Sequence, residues 1–103
     1  MITPTNVKRA DYSALYSFLL IMYTTYILFS PKISRFYTGQ TEDLERRLEE
    51  HNRGKTPFMA SGMPWKKVFS KEFDSRKDAT KLERFIKKRG AARFLTDNNI
   101  TVG

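Results

Sequence analysis

Two strand-like runs, a helix, a third strand-like run and two further helical stretches follow one another along the chain, and this order predicts an α+β domain. Three observations carry the prediction. Tyr23 to Phe29 is rich in aromatic and β-branched residues, and Phe36-Tyr37-Thr38 repeats that character after a turn. Leu44 and Leu48 stand four apart, and Ala79, Leu82 and Ile86 recur later at helical spacing. Between them lie segments punctuated by proline and glycine, where neither pattern continues.

The chain has 103 residues, which suits one domain with a modest core. It has no cysteine, which excludes disulfides and cysteine-based zinc sites and fits a cytoplasmic setting. The formal charge is +8 and the pI about 9.9. Such a charge is either a solvated surface or the footprint of a polyanion. The basic residues are spread through the whole chain, which favours nucleic acid over an anionic membrane, because a membrane-binding helix gathers them on one stretch.

Ala14 to Phe29 is the most hydrophobic stretch. A spanning helix needs about 20 apolar residues. This run is shorter, holds Ser17, Thr24 and Thr25, and stops at Pro31. Tyr23-Thr24-Thr25-Tyr26 supplies no small-residue cleavage site for a signal peptide. The favoured reading begins the domain at Met22. Residues 1–21 are then an extension, consistent with a start assigned upstream of the true one, residues 22–96 the domain and 97–103 a tail. No stable membrane association is expected.

Each element follows from local chemistry. Tyr23 to Phe29 is the first strand. Ser30 to Arg35 is a loop, and Phe36-Tyr37-Thr38 a second strand ending at Gly39, which together suggest an antiparallel hairpin. Thr41 is expected to cap a helix running to Asn52, with Glu42 and Asp43 in its first turn and Gly54 as its stop. Arg47 and His51 then sit at the edge of the Leu44/Leu48 stripe, beside the sheet. Lys55 to Pro64 reads as a loop, either a plain connection or a nucleic-acid contact. Trp65 to Phe73 is a third strand whose interrupting Lys66, Lys67 and Lys71 suit a sheet edge. Ser75 caps the next helix, with Asp78 at capping-box spacing; Gly90 ends it, and Ala91 to Leu95 adds a short turn.

Glu83 breaks the pattern, because it falls inside the apolar stripe of the Ser75 helix. A buried carboxylate must find a partner. That partner is either a lysine or arginine at the rim or a hard cation. Tyr26 and Tyr37 could be packed strand aromatics, Arg47 could lie over the core edge, and His51 could complement a helix C-terminus.

The joint spacing of these residues resembles the GIY-YIG nuclease superfamily, in particular its small single-domain bacterial members, similar to the N-terminal domain of the excision-repair endonuclease. The first motif is Thr25-Tyr26-Ile27, with threonine in the glycine place; the second is Tyr37-Thr38-Gly39, with threonine where isoleucine is usual. The family arginine falls on Arg47 and the metal-binding glutamate on Glu83, and Pro64-Trp65-Lys66 is typical of small members. The resemblance implies a three-stranded antiparallel sheet flanked by helices in β-β-α-β-α-α order. It implies phosphodiester hydrolysis in nucleic acid, DNA first, with branched, nicked or single-stranded forms as candidate substrates. One Mg²⁺ or Mn²⁺ would be held by Glu83. Tyr37 would take the proton of the attacking water, Tyr26 assist, Arg47 stabilise the phosphate charge and His51 support the site. Asn52 is a weaker candidate for a supporting contact. Lys32, Arg35, Lys55 and Lys66 are the candidate nucleic-acid contacts. The competing reading is a binding module that keeps the fold without catalysis.

Overall fold

The computed structural model describes residues 21–102, so the expected extension lies, apart from Ile21, outside the described residues. In chain order the elements are β1 (Tyr23–Ser30), β2 (Arg35–Thr41), α1 (Leu44–His51), α2 (Pro57–Ser61), β3 (Lys66–Phe73), α3 (Arg76–Arg89) and α4 (Ala91–Asp97). The α+β class and the three-stranded antiparallel sheet are as expected, with one helix more than the sequence suggested. No helix among the described residues is long and apolar enough to cross a membrane.

The sheet order is β2-β1-β3, with β1 antiparallel to both neighbours. The central place goes to the strand that can be buried on both faces, and Thr24 through Leu28 are all buried. The two-residue period sends their side chains to opposite sides. Tyr26 and Leu28 join Met59 and Trp65 on the face covered by α1 and α2. Ile27 joins Ile86, Phe94 and Leu95 on the face covered by α3 and α4. Ile100 and Val102 pack onto this second cluster, extending it past the end of α4.

Several boundaries differ from expectation for identifiable reasons. β2 continues past Gly39 to Thr41, because β1 supplies partners throughout: Tyr26 opposite Gly39, Thr25 opposite Gln40, Thr24 opposite Thr41. Asp43, not Thr41, caps α1: its Oδ1 accepts the Arg46 N–H at 3.1 Å. Thr41 is buried instead, and its hydroxyl accepts the Asp43 N–H at 3.1 Å, fixing the strand-to-helix corner. The expected loop at 55–64 contains α2, capped by Thr56, whose hydroxyl accepts the Met59 N–H at 3.2 Å, with Pro57 in the first helical position.

The third strand is an edge, as its lysines suggested, and Lys66, Lys67 and Lys71 are exposed along it. A bulge interrupts its pairing: Ile27 faces Phe69 and Leu28 faces Lys67, leaving Val68 between them. Ser75 caps α3 through the Asp78 N–H at 3.2 Å. Gly90 then turns the chain with φ +95°, a conformation that side chains with a Cβ resist, and α4 starts at once.

Candidate active site

Residues from both strands of the first hairpin and from two helices meet around the middle of β2. Tyr26 reaches across the β1–β2 ladder over Gly39, its register partner. A Cβ at position 39 would lie 2.8 Å from the Tyr26 hydroxyl oxygen and 3.1 Å from the Tyr37 ring. The glycine of the second motif is therefore the space that lets the tyrosine of the first motif cross the strand.

The Tyr26 hydroxyl ends 3.2 Å from His51 Nε2, and His51 Nδ1 lies 2.8 Å from the Met59 sulfur. A thioether carries no proton, so Nδ1 is the N–H that donates to it, and Nε2 is left to accept the Tyr26 O–H. The electrostatics agree with a neutral ring. Burial, then the Arg47 charge, hold the His51 imidazole below its ordinary value of 6.5, against an opposing pull from Glu50. Burial also pushes ionisation of the Tyr26 phenol well above the ordinary tyrosine range; Tyr37, Glu83 and Glu50 act in the same direction and Arg47 against them. Tyr37 packs its ring on His51 with centroids 4.6 Å apart and on Tyr26 at 6.3 Å. Tyr26 is 1% exposed, whereas Tyr37 is half-buried and the more open of the two hydroxyl-bearing rings.

Arg47 lies one turn before His51 on α1. Its Nε stands 3.3 Å from Glu50 Oε1 but makes no hydrogen bond, and it is buried. The Glu50 carboxylate thus supplies its charge partner without a hydrogen bond, which leaves the donor free to turn to another anion. Asn52, at the end of α1, has a structural place. Its Oδ1 accepts the Trp65 N–H at 2.6 Å and its amide donates to the Trp65 carbonyl at 3.2 Å, so α1 is tied to the start of β3.

Glu83 comes to the same region from the other face of the sheet. Its side chain is 17% exposed, and Oε2 pairs with Lys87 Nζ at 2.8 Å, the rim partner that its place on the stripe allowed. Its Oε1 accepts a hydrogen bond from the Gln40 amide at 3.2 Å, and the same amide donates to Thr80 at 2.6 Å. Gln40 follows Gly39 directly, so this bond brings Glu83 to the strand segment over which Tyr26 lies. The sequence reading missed Gln40. Its signal was available: Thr38 and Gln40 share one face of β2, and Gln40 is the polar residue placed to meet α3.

The Gln40 side-chain oxygen is buried and accepts no hydrogen bond. With the Glu83 carboxylate it offers hard oxygen donors, which fit a divalent cation that keeps most of its waters. Among the described residues, no group of three or more His, Cys, Asp or Glu gathers into a cage. Lys32, Arg35, Lys55 and Lys66 are all exposed, on the β1–β2 turn, the start of β2, the α1–α2 connection and the start of β3. Lys55 Nζ lies 3.9 Å from Glu50 Oε2, the carboxylate that also pairs with Arg47. Thr25, in the place of the first-motif glycine, is fully buried, and its hydroxyl donates to the Ala79 carbonyl at 2.8 Å, which fastens β1 to the helix carrying Glu83.

The GIY-YIG catalytic domain matches residues 22–95. A UPF0213 protein of Streptococcus agalactiae is 36% identical over 61 residues, covering 58% of this chain and 69% of that protein. The UPF0213 protein YsiG of Lactococcus lactis is 39% identical over 66 residues, covering 63% and 62%. A UPF0213 protein of Enterococcus faecalis is 41% identical over 56 residues, covering 52% and 64%. No solved structure matches the chain.

Proposed function

The chain belongs to the GIY-YIG nuclease family, and on that premise we propose that it is a divalent-metal-dependent endonuclease that hydrolyses phosphodiester bonds in DNA. The observation that carries the reading is the crossing of Tyr26 over Gly39 to a neutral His51, beside the Gln40–Glu83 pair.

Tyr37 is the better placed of the two tyrosines to meet water, because Tyr26 is buried and its O–H is committed to His51. In this reading the oxygen of Tyr37 receives the proton of the attacking water while its own hydroxyl proton passes to solvent. The water oxygen bonds to phosphorus, and the bond from phosphorus to the leaving oxygen breaks. His51, fixed by Tyr26 on one nitrogen and Met59 on the other, holds the Tyr37 ring. Arg47, whose Nε makes no hydrogen bond to its neighbour Glu50, stabilises the charge that gathers on the phosphate, where a guanidinium is most useful. Glu83, with Gln40 beside it, would hold Mg²⁺ or Mn²⁺, and the bound ion would neutralise the leaving alkoxide. To do so Glu83 must give up Lys87.

The test is cleavage of a panel of branched, nicked and single-stranded DNAs with Mg²⁺, Mn²⁺ or EDTA. Glu83→Ala should remove cleavage and leave DNA binding largely intact; undiminished turnover by that variant would sink the assignment. A second reading, a binding module without catalysis, draws support from the Lys87–Glu83 ion pair, which already satisfies the carboxylate. Binding without turnover on every substrate and metal would favour it.

A further inference from the structure

We propose that the C-terminal end of α3 together with α4 forms a track for single-stranded nucleic acid that leads away from Tyr37. The proposal rests on the nuclease reading only for the class of ligand, and it names where the strand runs.

A hollow of about 610 Å³ opens between β2, α2 and the α3–α4 junction, lined by Phe36, Tyr37, Phe58, Lys87 and Arg93 among others. Tyr37 belongs both to this hollow and to the candidate active site. Two smaller hollows share Arg89 and Arg93 with the first, one of about 290 Å³ along α4 and one of about 360 Å³ beside the end of α3. The surface they make is strongly basic. Lys87, Lys88, Arg89 and Arg93 are all exposed, and Asp97 is the only acidic residue lining the three hollows. Asp97 is itself consumed by Arg89, at 2.8 and 3.1 Å. Among the described residues, Lys88 and Arg93 make no ion pair.

A solvated charged face would explain the cations alone. It does not explain the aromatics set among them. Phe58 is 45% exposed and lines the first hollow; Phe85 is 57% exposed and lines another. Each is held by an aromatic neighbour, Phe58 by Trp65 at 5.5 Å and Phe85 by Phe94 at 6.2 Å. Anchored exposed rings interleaved with unpaired cations are the chemistry of a single strand, whose phosphates meet the cations while its bases stack on the rings. A duplex keeps its base faces inside and has no use for the phenylalanines. This surface on α3 and α4 is separate from Lys32, Arg35, Lys55 and Lys66, the contacts that the sequence suggests.

The experiment is fluorescence anisotropy with a labelled single-stranded oligonucleotide in EDTA, so that cleavage plays no part. Arg93→Ala should weaken binding about tenfold and flatten the slope of log affinity against log salt by about 0.7, the loss of one phosphate contact. Phe85→Ala should weaken binding at least about fivefold with the slope unchanged, as the loss of a stacked base does. Arg93→Lys should stay within about twofold of the parent. Both sites are exposed, and unchanged circular-dichroism melting would confirm that the fold is intact. Wild-type affinity in either alanine variant, equal losses on a blunt duplex, or binding to anionic vesicles with none to the oligonucleotide would each overturn the track. Oligonucleotide binding that depends on Arg93 and Phe85, in a protein that never cleaves with Mg²⁺, would uphold the track and defeat the enzyme reading alone.

Discussion

The two faces of the sheet are built from different materials. Against α3 and α4 the core is hydrocarbon: Ile27, Ile86, Phe94 and Leu95. Against α1 and α2 the core is chemically mixed, with the Tyr26 phenol, the His51 imidazole, the Met59 thioether and the Trp65 indole in one cluster. Its polar atoms are all matched in pairs: Tyr26 to His51, His51 to Met59, and Trp65 Nε1 to the Met59 carbonyl at 3.0 Å. One face can lose packing and leave the polar cluster assembled. The other cannot change without disturbing a hydrogen-bond chain, because a buried polar group left unpaired is costly. The phenol–imidazole cluster thus lies on one side of β1, while the hydrocarbon packing lies on the other, from which Glu83 and Gln40 also approach.

That division can be broken one side at a time. The largest effect is expected from Tyr37→Phe, which keeps the ring against His51 and removes only the hydroxyl. Cleavage should fall by about 10²- to 10⁴-fold, the usual worth of a positioned proton acceptor, with the melting temperature almost unmoved. Ile86→Ala should do the reverse. It leaves a void in the hydrocarbon face and should cost about 2–5 kcal/mol in urea denaturation, with activity per folded molecule retained. Thr25→Val tests the bond that fastens β1 to α3. Removing its hydroxyl takes away the second bond to the Ala79 carbonyl, and a loss of about 0.5–1.5 kcal/mol is expected with a measurable fall in activity, since α3 carries Glu83. An unchanged activity would mean that Glu83 is positioned without this hook.

The smallest effect is a pH dependence confined to the mixed face. His51 is held below its unfolded value, so the unfolded chain takes up a proton first as the pH falls. The stability it contributes is fully present above 6.5, its ordinary value, and is lost as the pH drops from there through the lowered native value. Urea midpoints at pH 7.5 and 5.5 should differ more for the parent than for His51→Gln. Equal differences would show that carboxylates, not His51, govern that range.

Much of this was legible in the chain, and the exceptions share a cause. The capping signal of Ser75 and the stripe of α3 are local, and they placed Glu83 where it lies. The length of β2 is not local: Gln40 and Thr41 are strand residues because β1 offers them partners. Thr41 looked like a helix cap by composition, but tertiary burial claimed its side chain and left the cap to Asp43. Thr56-Pro57 was a readable start signal for α2, hidden by the glycines and prolines around it. From sequence, His51 reads as readily as a complement to a helix C-terminus as it does as a site residue. Its burial between a phenol and a thioether depends on Met59, eight residues away on another helix, which no periodicity reveals. The basic surface of α3 and α4 was equally hidden, because its cations and its two exposed rings come together only after the turn at Gly90.

The central place of β1 has a further consequence, for motion. Amides on an edge strand can exchange through local fraying, but those of a strand hydrogen-bonded on both sides are released mainly when the domain opens as a whole. Tyr26 is carried by that strand, whereas Gln40 is carried by an edge. Hydrogen exchange should therefore find the backbone at Tyr26 among the slowest in the molecule and that at Gln40 appreciably faster. The phenol that anchors His51 is then as persistent as the fold, while the support for Glu83 can breathe on a shorter timescale, as a carboxylate that must exchange one cation for another requires.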